Sequence, residues 1–374
     1  MGLSPGGLAH PRTHGGNLWE VMRQHGFSKD QILDFSVDVN PFGFPQRLPS
    51  IIRDHLDDLR YYPDPCAQAL REAIASYHQV PTDAVLPGNG AAELIGLAVQ
   101  LRQPKKALVV VPAFGEYEWA LEQIGATCVR VETREASDFQ LDDNQDDWQQ
   151  LFADVEMVFV CNPNNPTGAV APRGQVLRLA HRCRDIGALL VVDEAFVDFV
   201  EHPDALSVLH DAIPMGHVVV LRSLTKCFAI PGLRLGYAVA CASLIEELRA
   251  LQQPWPINTF AAAVGVQLFK ETAYMAQSRR AIAQLRDEFQ QLLSTVPWLQ
   301  PFPSATNFVL CKLTSPGITA SPLADRLARQ GLLIRTCDSF TGLEPGRFIR
   351  LAVRCHADNH RLIGALREVL ADGR

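Results

Sequence analysis

The amino-acid sequence predicts an α/β fold: a mostly parallel central sheet covered by helices on both faces in a large domain, plus a smaller α+β domain. Three observations predict it. Short apolar runs at 107–111, 155–161, 188–192, 218–221 and 236–240 are mostly rich in β-branched residues and read as buried strands. Helix-like stretches at 91–101, 116–125 and 173–186 lie between them, and strands alternating with helices indicate parallel pairing. From about Pro254 the rhythm changes.

That change defines the smaller domain. A long segment without proline, 258–296, reads as helix. After it come a strand at 307–313, a helix near 322–330, strands at 332–336 and 348–353, and a final helix over 359–370. Asn359 is placed to cap that last helix, because asparagine is a good N-cap. The expected division is a large domain over 45–255 and a small domain made of 1–44 and 256–374, with the first segment as an arm.

Bulk properties exclude several functions. The net charge is −7, from 34 basic and 41 acidic residues, and no Lys/Arg run occurs, so nucleic acid is a poor partner. Nine cysteines are scattered with no CxxC pair, which argues against a disulfide framework or a zinc site and for reduced thiols in the cytoplasm. No metal is expected. The first 17 residues lack the basic start and apolar run of a signal peptide. No stretch reaches the length of about 18 apolar residues that a membrane span needs.

Four short segments carry chemistry. In Ser223-Leu224-Thr225-Lys226, a lysine amine just past a strand could condense with an aldehyde, while Ser223, Thr225 and Arg234 supply donors for a phosphate. In Asp193-Glu194, two carboxylates end a buried run, and Asp193 could pair with a protonated pyridine nitrogen. Glu194 could instead bind a metal, but no histidine or second acidic cluster accompanies it. Asn162-Pro163-Asn164-Asn165-Pro166-Thr167-Gly168 is a rigid turn whose asparagines could bond a ring oxygen. Gly88-Asn89-Gly90-Ala91 leads into a helix and could turn backbone N–H groups toward an anion. Taken singly, each has a plainer reading: a loop lysine, a strand-end cap, a turn, a glycine-rich bend.

Their order along one domain is more specific. Gly90, Phe114, Asn165, Asp193, Lys226 and Arg234 follow one another as in the aminotransferase class I/II family, pyridoxal-phosphate fold type I, and the resemblance covers nearly the whole chain. It implies that Lys226 carries pyridoxal 5'-phosphate (PLP) as a Schiff base and that Asp193 pairs with the ring nitrogen. Gly90, Ala91, Ser223, Thr225 and Arg234 would lie around the cofactor phosphate. Phe114 would stack on the ring and Asn165 would bond its hydroxyl oxygen. Tyr62 matches a tyrosine that reaches the phosphate from a second subunit, which implies a homodimer with shared active sites.

Finer matches point within the family. His14-Gly15-Gly16-Asn17, Asn40-Pro41-Phe42-Gly43, Ala229-Ile230-Pro231-Gly232-Leu233-Arg234 and Gln253-Pro254-Trp255 resemble the branch that decarboxylates threonine phosphate in cobalamin biosynthesis. The neighbouring branch is the histidinol-phosphate aminotransferases. Phe196 stands where aminotransferases usually carry a tyrosine, and phenylalanine has no hydroxyl to donate to the ring oxygen.

The substrate implied is a phosphorylated amino acid. Arg335 would meet its phosphate and Arg350 its α-carboxylate, with Arg354, His14, Asn17, Asn40 and Asn165 around it. In one place the chain departs from the branch. Val37-Asp38-Val39-Asn40-Pro41 stands where the branch typically reads Ala-Asn-Ile-Asn-Pro. A carboxylate beside the substrate phosphate would oppose it by on the order of several kcal/mol at about 4 Å.

Overall fold

A computed structural model describes residues 15–142 and 148–369. Strand β1 (Leu33–Asp34) is followed by β2 (Val85–Gly88), β3 (Lys106–Val111), β4 (Thr127–Glu132), β5 (Met157–Cys161), β6 (Leu189–Asp193), β7 (Val218–Ser223) and β8 (Gly236–Val239). Strands β2 to β8 form a seven-stranded sheet in the order β2-β8-β7-β6-β5-β3-β4. Pairing is parallel from β7 through to β4, and β8 runs antiparallel to both β7 and β2.

Alternation along these strands explains why the sheet is covered on both faces. Val158, Val160, Leu190, Val192, Val218 and Val220 enter one apolar core. Met157, Phe159, Leu189, Val191, Val219 and Leu221 enter the other. Successive side chains in a strand point to opposite faces, so a continuous apolar run feeds two cores. Helix Ala91–Arg102 packs in the second core and helix Arg173–Asp185 in the first. The apolar runs therefore gave the strands to within a residue or two. Strands β2 and β4 fell outside the sequence reading: β2 contains Pro87, and β4 is half-exposed with charged residues at alternate positions.

The rest of the chain adds β9 (Leu299–Pro301), β10 (Phe308–Leu313), β11 (Leu332–Leu333), β12 (Arg335–Thr336) and β13 (Phe348–Ala352). An antiparallel sheet takes the order β12-β13-β10-β9, and β11 pairs in parallel with β1. The two ends of the chain are thus joined. Phe35 N–H donates to the Leu333 carbonyl and Ala352 N–H donates to that of Phe35.

Three expectations here need correction. The single strand expected at 332–336 is β11 and β12, which join different sheets. The segment 258–296 is two helices, Thr259–Leu268 and Thr272–Ser294, with Asn258 capping the first by accepting from Ala261 N–H. The junction closes through Lys270 N–H to the Gln267 carbonyl and Glu271 N–H to that of Leu268, short i→i−3 bonds that need neither proline nor glycine. The last helix begins earlier than expected, at His356. Asn359 lies inside its first turn and turns back on Arg354, accepting from its N–H and donating to its carbonyl.

Candidate active site

A cavity of about 460 Å³ opens at the carboxyl edge of the parallel strands, where such sheets place their ligands. Cys161, Asp193 and Leu221 are paired residues on β5, β6 and β7, so the turns that follow these strands converge. Asn165, Asp193, Ser223, Thr225 and Lys226 all line the cavity.

Lys226 lies on the short helix Leu224–Cys227 directly after β7. Its backbone is held from outside the strand, because its carbonyl accepts from Asn40 N–H at 2.9 Å. Burial lowers its pKa below the usual lysine range, with Arg350 and Arg234 adding to the effect and Asp38 and Asp193 opposing it. A lysine that sheds its proton more readily is a better nucleophile.

Asp193 is 4 % exposed. Tyr117 Oη donates to its Oδ2 at 2.6 Å and Ala195 N–H to its Oδ1 at 2.9 Å. Burial pushes its carboxyl pKa up, against the pull of those two bonds. A cation brought to this carboxylate would favour its charged form. The next residue points the other way. Glu194 is buried beneath the site, where it pairs with Arg222 at 2.9 Å and accepts from Ser207 Oγ and Val208 N–H. It holds a structural ion pair, and among the described residues no group of His, Cys, Asp or Glu could hold a metal.

The glycine bend makes an anion cradle. Gly90 has φ +79°, and a Cβ there would lie 2.6 Å from Arg234 Nη2. Only glycine lets that guanidinium reach the N-terminus of the helix Ala91–Arg102. Gly236 is as confined, since a Cβ would lie 2.8 Å from Ala91 N. Ser223 Oγ and Thr225 Oγ1 are 2.7 Å apart on the same side of the cavity. Phe114 lines the cavity and meets Tyr117 edge-on, with ring centroids 5.9 Å apart. An anion cradle, a flat aromatic, a buried carboxylate and a lysine amine fit pyridoxal phosphate group by group.

The other end of the cavity is cationic. Arg335 and Arg350 are directly paired across β12 and β13, so both guanidiniums stand on one face. Arg335 Nη2 donates to Ser339 Oγ at 2.7 Å. Burial lowers its pKa, and the charge of Arg350 lowers it further. Arg350 donates through Nη1 to Asn165 Oδ1, ties to the Ser36 carbonyl, and pairs with Asp38 at 2.7 Å. Asp38 is thus not an unpaired anion in the cavity: its ion-pair partner is Arg350, and Arg335 also feels its charge. Burial raises the Asp38 pKa, and Arg350, then Lys226, pull it back.

Several expected substrate contacts lie elsewhere. Arg354 is outside the cavity lining, with Nε paired to Asp358 at 3.0 Å and Nη1 donating to the Asp34 carbonyl. Asn40 is buried outside the cavity lining, donating to the Cys227 carbonyl and accepting from Phe42 N–H. Asn17 is exposed at the start of the helix Leu18–His25, while Gly15 of the same arm lines the cavity. Tyr62, expected to reach the cofactor phosphate of a second subunit, is 77 % exposed and stacks on Trp255 at 4.3 Å outside its own chain's cavity. His14 lies outside the described residues. Tyr117 was missed; its only sequence signal is its place three residues after Phe114, at the start of the helix Glu116–Gln123. Ser339 gave no signal.

The model of the family described as aminotransferase class I and II matches residues 30–366. The chain belongs to this family. A threonine-phosphate decarboxylase of Salmonella typhimurium is 38 % identical over 359 residues, 96 % of each chain. Among solved structures, the histidinol-phosphate aminotransferase from Clostridium acetobutylicum superposes with a TM-score of 0.83 at 29 % identity, covering 91 % of this chain and 100 % of its own. The L-threonine-O-3-phosphate decarboxylase from Porphyromonas gingivalis superposes with 0.81 at 26 %, covering 90 % and 99 %.

Proposed function

We propose that this family member uses pyridoxal 5'-phosphate to decarboxylate L-threonine O-3-phosphate, giving (R)-1-amino-2-propanol O-2-phosphate and CO2 in cobalamin biosynthesis. The observation that carries this reading is the pairing of Arg335 with Arg350 over the cavity that Lys226 enters. Two cations suit a ligand with both a phosphate and a carboxylate. The 38 % identity to the Salmonella decarboxylase supports the same substrate class.

Bound pyridoxal phosphate supplies an aldehyde that captures amines and a ring that accepts the electron pair of a breaking Cα bond. The residues do the rest. Lys226 would hold the cofactor through its amine, and the same amine would be placed to return a proton to the substrate Cα. Asp193 keeps the ring nitrogen protonated, and Gly90, Ala91, Ser223, Thr225 and Arg234 hold the cofactor phosphate. Arg335 takes the substrate phosphate and Arg350 faces the carboxylate, fixing the torsion about Cα so that the carboxyl bond breaks.

A second reading is a histidinol-phosphate type aminotransferase, favoured by the Clostridium superposition. Phe196 argues against it. Its ring is buried, lines the cavity and packs edge-on against Phe308, with no hydroxyl to offer the cofactor.

The active unit in this reading is a cytoplasmic homodimer of chains folded as 45–255 and 1–44 with 256–374. Exposed Leu56, Leu59, Tyr61 and Tyr62 support a second subunit over this face, and nine unpaired cysteines support a reducing compartment. Among the described residues no helix is long and apolar enough to cross a membrane.

The test is to incubate the holoenzyme with threonine phosphate and measure CO2. A parallel reaction with histidinol phosphate and 2-oxoglutarate is assayed for glutamate. Stoichiometric CO2 and phospho-amine are expected; glutamate without CO2 overturns the reading.

A further inference from the structure

Asp38 and Arg350 form a buried ion pair inside the cavity lining, with side chains 2 % and 6 % exposed. The pair is firmly held. The Phe35 backbone bridges Leu333 and Ala352, and Asn40 N–H is bonded to the Lys226 carbonyl, so the segment between them is clamped at both ends. Yet each partner keeps one buried polar atom without a hydrogen bond: Asp38 Oδ1 and Arg350 Nε.

The distribution of contacts on the guanidinium matters. A carboxylate grips arginine through two parallel bonds, either end-on through Nη1 and Nη2 or side-on through Nε and Nη2. Both approaches need Nη2. Here Nη2 is engaged by the Ser36 carbonyl at 3.2 Å and by Asp38 Oδ2 at 2.7 Å. Nη1 is engaged by Asn165. An incoming carboxylate finds single donors, no free fork, and a like charge alongside.

We propose that Asp38 is a specificity-determining residue that denies substrate carboxylates a two-pronged grip on Arg350, so that ligands are selected by their phosphate. The inference rests on the reading of Arg350 as the group facing the α-carboxylate. It fits a reaction in which that carboxylate departs, because a tight hold on a departing group in the ground state is lost as the group leaves and raises the barrier.

The test compares two phosphates that lack an amine and so do not react with the cofactor. They are 3-phosphoglycerate, which carries a carboxylate, and glycerol 3-phosphate, which does not. Dissociation constants are measured on the holoenzyme by calorimetry and by the shift in cofactor absorbance. In the wild type the two constants should agree within about threefold, the carboxylate gaining little net free energy. In Asp38→Asn, 3-phosphoglycerate should bind about tenfold tighter or more, while glycerol 3-phosphate stays within about threefold. Both ligands titrate the same sample, so a smaller folded fraction changes the stoichiometry and leaves the ratio intact. An unchanged ratio in Asp38→Asn, or a wild type already favouring 3-phosphoglycerate by more than about tenfold, overturns the proposal. Adding Arg350→Gln to Asp38→Asn should return the ratio to its wild-type value. A gain that survives in the double variant means that the carboxylate is held elsewhere, which overturns the reading of Arg350 as well.

Discussion

At the cofactor end of the cavity, Asp193, Ser223 and Lys226 stand at the carboxyl ends of neighbouring parallel strands. At the substrate end, Asp38, Arg335 and Arg350 arrive from opposite ends of the chain. The first arrangement is built from local segments: each residue follows directly on an apolar strand, so strand register places it. The second depends on β1 pairing with β11 and on Phe35 bridging to β13. One end is a property of a sheet, the other of a long-range closure. Roles at the sheet end should therefore be the harder to perturb by neighbouring changes, and those at the closure end the more open to tuning.

The largest effect that tests this contrast is expected at Asp193. If Asp193 faces the ring nitrogen as proposed, Asp193→Asn removes that charge and should lower kcat by about 10²-fold or more, the scale of one lost electrostatic contact to the reacting group. Steady-state kinetics, with cofactor content checked by absorbance, measures it. A variant with near wild-type kcat breaks the cofactor-end assignment.

Arg335→Gln should act differently, raising KM for the phosphorylated substrate by about 10- to 100-fold with a smaller change in kcat. If kcat collapses and KM holds, Arg335 does not bind the phosphate. A smaller effect is expected from Tyr117→Phe, which removes one hydrogen bond to Asp193 and should lower kcat about 5- to 10-fold. A shift in the cofactor absorbance should accompany it, which a purely structural role would not produce. Arg354→Ala should be the mildest. Its guanidinium is committed to Asp358 and Asp34 outside the cavity, so KM and kcat should stay within about threefold. A large rise in KM there would redraw the boundary of the substrate end.

The same contrast explains what could be read from the sequence. The strands and the turns after them were legible because periodicity and position are local. Gly90, Asn165, Asp193 and Lys226 were therefore found as an ordered set, and they meet in one cavity. At the closure end, residue type was legible and partnership was not. Asp38 looked like an anion set against an anion, because nothing in a linear chain says that Arg350 lies 2.7 Å away. Arg354 and Asn40 looked like ligand contacts, yet Asp358 and the Cys227 carbonyl occupy them. Glu194 shows the limit even at the sheet end. It differs from Asp193 by one position, and strand alternation alone sends it to the opposite face.

The claim on which both ends depend is that Lys226 holds the cofactor. It is tested by reducing the holoenzyme with borohydride, digesting it, and identifying the peptide that carries the fixed chromophore. The account predicts a single labelled peptide containing Ser223-Leu224-Thr225-Lys226, and no label in Lys226→Ala. Label on any other lysine, or full labelling of the Lys226→Ala protein, would contradict it.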